Sequence, residues 1–401
     1  MLDGRRLWFV GIGGAGMSGL ALVAREWGAD VGGSDRSRSS YVERLEAAGI
    51  PVAIGHNAAN VPGGAEVIVS SAIPPDNPEI AGRETKHRAD FLAELVQRRP
   101  SIVVAGAHGK TTTAGMIAFC LDRLGLDPAF VIGGEIPELG GNARAGEGWL
   151  VAEGDESDRS LELLRPQIAV VTNIELDHHA TFGSEQELRR LFETWLDAVP
   201  AVVRAEELDP VEFELGVPGA HNRRNAAAAL AALQLAGVER AQTERVLPAF
   251  RGAGRRFEPR GEAAGVRIFD DYGHNPTEIV ATLDAARGAA GEGHVLVVFQ
   301  PHLYSRTRHL AAELGRALAA ADAVAVTEVY AARETPVRGI DGKLVVDAAA
   351  TERPGMDVAW TPALEDAARF VSRRARPGDV VLTIGAGDVE RAAPLILEAL
   401  R

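Results

Sequence analysis

Two short glycine-rich turns, each entered from an apolar run and each leaving into a helix-compatible stretch, constrain this chain more than any other feature. The first is Gly11-Ile12-Gly13-Gly14-Ala15-Gly16, between Leu7-Trp8-Phe9-Val10 and a helical pattern over Ala15 to Trp27. The second is Gly106-Ala107-His108-Gly109-Lys110-Thr111, between Ser101-Ile102-Val103-Val104-Ala105 and a helical pattern over Thr111 to Leu124. Such a turn lets backbone N–H groups approach a phosphate closely, and the helix dipole behind it favours the anion. A chain that builds this unit twice reads as α/β, with a mostly parallel sheet covered by helices on both faces.

The two turns differ in chemistry. The first satisfies G-x-G-x-x-G, and Asp35 lies 19 residues past Gly16, at the end of a strand-like run from Asp30, where a carboxylate can accept ribose hydroxyls. It points to a diphosphate–ribose ligand without naming the base; a tight turn alone would also need glycine. The second is a contracted G-x-x-G-K-T, since Val104 stands where a standard phosphate loop has glycine. Its Lys110 ammonium suits the β- and γ-phosphates of ATP, and the Thr111 hydroxyl suits Mg²⁺. Glu153 ends the run Trp149-Leu150-Val151-Ala152 and precedes Asp155, Glu156 and Asp158. Acids at the end of an apolar strand can hold Mg²⁺ beside phosphates, although a solvated loop has the same composition. Asn173-Ile174-Glu175-Leu176-Asp177-His178-His179 follows another strand candidate, Ile168 to Thr172.

A third α/β pattern begins after Gly252-Ala253-Gly254-Arg255-Arg256, with strand candidates at Val266–Asp271, Val295–Phe299, Ala323–Val326 and Val380–Ile384. Three domains are therefore expected, near 1–99, 100–252 and 253–401, which suits 401 residues at roughly 150 per domain. In the third, Asp270-Asp271-Tyr272-Gly273-His274-Asn275-Pro276 reads as a polar elbow. Gln300-Pro301-His302-Leu303-Tyr304-Ser305-Arg306 carries cationic side chains where an anionic substrate can dock. His221-Asn222-Arg223-Arg224-Asn225 opens a helix, and asparagine there is ordinarily a cap. A formal charge of −14 argues against a protein that coats nucleic acid or anionic membrane. The single cysteine excludes an internal disulfide framework. With no secretory leader pattern and no bilayer-length apolar run, a cytoplasmic location is expected.

Taken in order, GIGGAGMSGLA, SSAIPPDNPEI, AHGKTTT, VAEGDESDRS, VVTNIELDHHATF, PGAHNRRNAAAA, GAGRRFE, DDYGHNPTE, FQPHLYSRTRHL, EVYAARETP and GAGDV resemble the motifs of the Mur ligases over nearly the whole chain. The resemblance implies a Rossmann-like N-terminal domain for a UDP-sugar, a P-loop ATPase-type central domain and a dinucleotide-fold-like C-terminal domain for the amino acid. It implies ATP-dependent joining of L-alanine to the lactyl carboxylate of UDP-N-acetylmuramate through an acyl phosphate, with ADP and phosphate released. That reaction would serve peptidoglycan precursor synthesis, and through it the cell wall, cell shape and division. Gly13, Gly14, Ala15, Gly16, Asp35 and Ser71 would then serve the UDP-sugar. Gly106, His108, Gly109, Lys110, Thr111, Thr112, Asn222, Asn225, Arg256, Asp271, Tyr272 and His274 would serve ATP. Thr111, Glu153 and His178 would ligate Mg²⁺. Lys110, His178, His302 and Arg306 would be catalytic, with His302 and Arg306 also holding substrate. No nucleic acid or membrane partner is implied, and a monomer or a dimer is equally compatible.

The chain departs from the family pattern at Leu303, where arginine is usual, and at Asn275, where histidine is usual. The stretches between Pro200 and Pro218 and between Ile80 and Asp90 are short for the family. These departures keep open a ligase for another amino acid or a peptide, or a nucleotide-binding relative without turnover; an NAD-dependent oxidoreductase has no use for the second loop. Motifs for one reaction spread over three domains imply closure around the ligands. Small-angle scattering should show a smaller radius of gyration with an ATP analogue and UDP-sugar than without them.

Overall fold

The computed structural model describes residues 1–176, 181–332 and 334–401. Its first sheet contains β1 (Arg6–Val10), β2 (Asp30–Asp35), β3 (Val52–Ile54), β4 (Glu66–Val69) and β5 (Thr85–His87) in the order β3-β2-β1-β4-β5. Every pairing is parallel. The helices α1 (Ala15–Glu26), α2 (Ser40–Ala47) and α3 (Arg88–Arg98) connect or follow these strands. Phe9 and Phe91 meet edge-to-face, with centroids 5.7 Å apart, and both are buried. Close strand–turn packing demands glycine at Gly33, where a Cβ would lie 2.4 Å from the Phe9 carbonyl oxygen and 2.6 Å from the Ile12 side chain.

The second sheet takes β6 (Ser101–Ala105), β7 (Ala129–Ile136), β8 (Gly141–Arg144), β9 (Leu150–Glu153), β10 (Ile168–Val171) and β11 (Ala201–Arg204), ordered β11-β10-β6-β9-β7-β8. Only the β7–β8 pair is antiparallel. With it go α4 (Lys110–Arg123), α5 (Glu185–Leu196), α6 (Ala220–Leu235) and α7 (Arg240–Val246). Helix α4 is buried nearly all round, which explains its almost uniformly apolar and small residues after the first turn. Phe119 on this helix meets Phe250 at 5.6 Å.

The β7–β8 hairpin was not visible in the sequence, which shows a strand only at Phe130 to Ile132. Gly133 and Gly134 sit in β7, and the register shifts between Val131 and Ile136. The alternation that signals a strand is lost at such an irregularity. This hairpin carries α1 of the first sheet. Asn142 Nδ2 donates to the Ala15 carbonyl at 2.8 Å, Arg44 pairs with Glu135 at 2.7 Å, and the Ala145 N–H donates to Glu26 at 2.6 Å. The first two sheets consequently share one compact unit, Met1–Glu175 with Ser184–Val217 and Asn222–Ala253.

The other unit comprises Leu176–Gly183, Pro218–His221 and Gly254–Arg401. It holds the third sheet: β12 (Glu258–Ala263), β13 (Val266–Asp271), β14 (Val295–Phe299), β15 (Ala323–Val326), β16 (Asp357–Trp360) and β17 (Val380–Ile384), ordered β12-β13-β17-β14-β15-β16. Strand β12 alone runs antiparallel. The helices α8 (Pro276–Ala290), α9 (Tyr304–Leu318), α10 (Lys343–Glu352), α11 (Leu364–Ser372) and α12 (Ala392–Leu400) cover it, leaving a core on each face. Among the described residues no helix is long and apolar enough to cross a membrane.

Replacing Gly33 with alanine forces its Cβ onto the Phe9 backbone carbonyl, which cannot swing aside as the Ile12 side chain can. Urea unfolding should report a loss of about 1–3 kcal/mol for Gly33→Ala; an unchanged midpoint would show that β2 can shift to accommodate a methyl group.

Candidate functional site

In a parallel sheet, the turns that follow the strands collect at the carboxyl edge, and ligands bind where the strand order reverses. The first sheet reverses between β1 and β4. Gly13, Gly14, Ala15 and Gly16 follow β1, and Ser71 lies exposed two residues beyond β4, so these five residues share that edge. Asp35 ends the neighbouring β2. One of its carboxylate oxygens accepts the Gly13 N–H at 2.9 Å and the other accepts the Ser37 N–H at 3.3 Å. The acid therefore braces the glycine turn. Gly14 caps α1 without a side-chain bond, leaving the first turn of the helix to a ligand or water.

The second sheet places its phosphate loop immediately after β6, between the ends of β9 and β10. Gly109 has φ +80°, and a Cβ on it would come within 2.7 Å of Asn225 Oδ1. Two independent requirements, a left-handed backbone and close approach, thus make this position glycine. Asn225 Nδ2 donates to Asn222 Oδ1 at 3.2 Å, and both asparagines are buried. Helix α6 begins at Ala220, so Asn222 and Asn225 sit inside its opening turns, and Asn225 faces the loop. The ordinary capping interpretation of these asparagines gives way to a tertiary one. Lys110 Nζ bonds the Gly106 carbonyl and lies 3.5 Å from Glu156 Oε1, folding back over the loop. Thr111 and Thr112 are buried in the first turn of α4.

Asn173 clamps His108 from three sides. Its Oδ1 accepts the His108 N–H at 3.1 Å, while its Nδ2 donates to the His108 carbonyl at 2.8 Å and to His108 Nδ1 at 2.9 Å. Nδ1 is therefore an acceptor, and the ring proton sits on Nε2, which donates to Glu175 at 3.0 Å. The sequence did not single out Asn173 or Glu175 individually; their place just past an apolar strand was the available signal. Glu153 ends β9 and accepts the Gly133 N–H at 2.6 Å. Asp155 is pushed up by burial, but Arg88, Ser157 and Lys110 outweigh this and hold its carboxyl below the usual range. His178 lies outside the described residues. Among those described, no group of three or more His, Cys, Asp or Glu side chains is positioned to hold a metal ion.

In the other unit, Asp271 ends β13 and bonds the N–H groups of Phe257 and Gly273, each at 2.8 Å. Burial raises its carboxyl, against the pull of the neighbouring Arg256 guanidinium. Arg256 donates to Glu278 at 3.1 Å and lies 5.3 Å from the Tyr272 ring centroid. His274 Nδ1 donates to the Tyr272 carbonyl at 3.0 Å. These four expected nucleotide contacts form one cluster. Asn275, in the position where the family usually has histidine, caps α8 by accepting the Glu278 N–H at 2.9 Å, with Pro276 at the first helical position.

Buried Arg306 donates to His302 Nδ1 at 3.1 Å, which leaves the His302 ring proton on Nε2. His302 also stacks on Tyr330, with centroids 5.9 Å apart, and stands 6.0 Å from His274. Leu303 immediately precedes α9 with φ +67° and ψ 135°, a strained conformation for a residue with a side chain. The sequence identified Leu303 by type but gave no sign of its backbone.

Residues 6–100 match the Mur ligase family catalytic domain, 104–197 the Mur ligase middle domain, and 255–387 the Mur ligase glutamate ligase domain. The UDP-N-acetylmuramate–L-alanine ligase of Streptomyces avermitilis is 42% identical, covering 98% of this chain and 97% of that protein. The ligase of the same name from Rubrobacter xylanophilus is 41% identical, covering 98% and 100%. The crystal structure of UDP-N-acetylmuramate–alanine ligase from Thermotoga maritima superposes with a TM-score of 0.83 at 29% identity, covering 98% of each chain. The match to the Streptomyces protein extends over 450 aligned residues, more than the 401 of this chain, so this chain lacks segments that its relative has.

A Gly109→Ala substitution should weaken binding of a non-hydrolysable ATP analogue about tenfold or more, because the methyl group meets Asn225 and the backbone must keep a positive φ. Calorimetric titration tests this, and native affinity in the variant would remove Gly109 from the nucleotide site.

Proposed function

The chain belongs to the Mur ligase family, and on that premise we propose that it joins L-alanine to UDP-N-acetylmuramate at the expense of ATP. The observation that carries this reading is the convergence of Lys110, Glu156 and Asn225 on one phosphate loop at the carboxyl edge of the second sheet. The high identity of the alanine ligases over nearly their full length favours alanine over a peptide as the group joined. We assign residues 1–99 to the nucleotide sugar, 100–252 to ATP and 253–401 to the amino acid.

The chemistry follows from the poor leaving group on a carboxylate. A lactyl carboxylate oxygen attacks the γ-phosphorus of ATP, and ADP departs. The alanine amine then attacks the acyl carbonyl, phosphate departs, and the nitrogen loses a proton. Lys110 swings from the Gly106 carbonyl to the transferring phosphate, while backbone N–H groups at the start of α4 receive its oxygens. Gly106, His108, Gly109, Thr112, Asn222 and Asn225 serve the nucleotide in the first unit; Arg256, Asp271, Tyr272 and His274 are assigned to the nucleotide as well. Thr111 and Glu153 offer the hard oxygen ligands that fit Mg²⁺, and His178 completes the proposed set. A bound Mg²⁺ would neutralise the charge that builds up on the phosphates. Gly13, Gly14, Ala15, Gly16, Asp35 and Ser71 hold the UDP moiety. His302 and Arg306 steer the acyl phosphate or the alanine carboxylate.

Phosphate release should require ATP, Mg²⁺, UDP-N-acetylmuramate and L-alanine together, and Lys110→Ala should lower kcat by roughly 10²-fold or more. Failure to release phosphate with any amino acid in a panel would leave a nucleotide-binding protein without turnover. A clear kcat/KM lead for another amino acid would move the assignment to a related ligase.

A further inference from the structure

One arginine stands between the first glycine loop and the acidic loop that follows β9. Arg88 opens α3, and its Nη1 would lie 3.6 Å from a Cβ built on Gly16, at the end of the first loop. Its Nη2 donates to Asp155 Oδ2 at 2.6 Å, with Asp158 Oδ2 at 3.6 Å. Asp155 is itself fixed, since its Oδ1 accepts the Ser157 N–H at 2.9 Å. One half of the guanidinium fork is thus held by carboxylates of the second sheet, and the other half is aimed at the glycine turn of the first.

A bridge between the two sheets would not by itself need this geometry. The seam is already made by Asn142 on the Ala15 carbonyl, Arg44 on Glu135 and Glu26 on the Ala145 N–H. All three lie along α1, α2 and the β7–β8 hairpin, and only the Asn142 bond, on the Ala15 carbonyl, touches the first glycine turn. An arginine with one nitrogen anchored on a carboxylate and the other 3.6 Å from a Cβ built on Gly16 can present donors to phosphate oxygens in a defined plane, which a lysine cannot do.

We propose that Arg88 is a further binding residue for the diphosphate of the nucleotide sugar, and that Asp155 is the positioning residue that holds its guanidinium against the first glycine loop. This rests on reading that loop as the nucleotide-sugar site. It gives Asp155 a role separate from the metal ligands proposed beside it, and makes a residue of the ATP-binding sheet part of the acceptor site.

The test compares UDP, which carries the diphosphate, with uridine, which does not. In titrations of the full-length protein, Arg88→Gln should weaken UDP about tenfold or more and leave uridine unchanged. Arg88→Lys, which keeps the charge but loses the fork, should weaken UDP by an intermediate factor. Asp155→Asn should weaken UDP in the native background but add nothing to Arg88→Gln, as expected of two residues acting through one contact. In turnover, Arg88→Gln should raise KM for UDP-N-acetylmuramate with kcat little changed. A purely structural arginine would weaken uridine and UDP alike and lower the melting temperature, and that result overturns the proposal. An Asp155→Asn loss of equal size in both backgrounds removes Asp155 from the positioning role. If the native protein binds neither UDP nor uridine, the nucleotide-sugar reading fails and this proposal fails with it. If the native protein binds both and Arg88→Gln binds UDP as tightly, only the role of Arg88 is lost.

Discussion

Parallel strands joined by right-handed crossovers must send every strand-to-helix turn to the same edge of the sheet. That constraint organises each of the three sheets. It puts the glycine loop after β1 beside the end of β4, the phosphate loop after β6 beside the ends of β9 and β10, and Asp271 at the end of β13 near the turns after β17 and β14. Residues far apart in sequence, such as Gly109 and Asn225 or His108 and Asn173, meet because their strands and helices end at that edge. The surrounding cores, rich in valine, alanine and isoleucine, keep the edge rigid enough to hold donors at hydrogen-bond distances.

Around the second loop, polar side chains do the work that glycine cannot. Glycine permits the turn, but it also leaves the backbone loose in the unfolded chain and short of side-chain contacts. Asn173 compensates by binding the backbone N–H, carbonyl and ring of His108 at once, and Thr172 Oγ1 adds a bond to the His108 carbonyl at 2.6 Å. The first loop is braced differently, by Asp35 on the Gly13 N–H and by the Ser34 carbonyl, which accepts the Gly11 and Ile12 N–H groups at 2.8 and 2.9 Å. Each loop thus draws its rigidity from the strand beside it. Small shifts in those strands would be felt directly in the loops.

Strand and helix periodicity located most of the regular elements, because buried parallel strands are continuous apolar runs bounded by glycine or polar turns. β6, β10, β14 and β17 are of this kind. The short edge strands β3, β5 and β16 and the β7–β8 hairpin were not legible. Their residues are partly exposed or interrupted by glycine, so neighbouring strands rather than local pattern hold them in place. Among site residues, Lys110, Glu153 and Asp271 stood out because reactive side chains directly follow apolar strands. Arg88 did not, since an arginine at the start of an amphipathic helix has nothing in its local sequence to distinguish it from a surface charge.

The sequence by itself determined the class of the protein: an α/β chain with two glycine-rich strand-to-helix turns and an ordered set of motifs characteristic of the Mur ligases. These are local properties, written in glycine spacing, apolar runs and the residues that follow them. Only the tertiary structure decided what each polar side chain faces. It turned Asn225 from a helix cap into the wall of the phosphate loop and gave Asn275 the capping task. It also put Leu303 in a strained backbone and turned Arg88 between a carboxylate and a glycine turn. The physical reason is that a hydrogen bond or ion pair depends on distances of a few ångströms between residues that the chain separates by tens of positions, and these distances exist only after the sheets have packed.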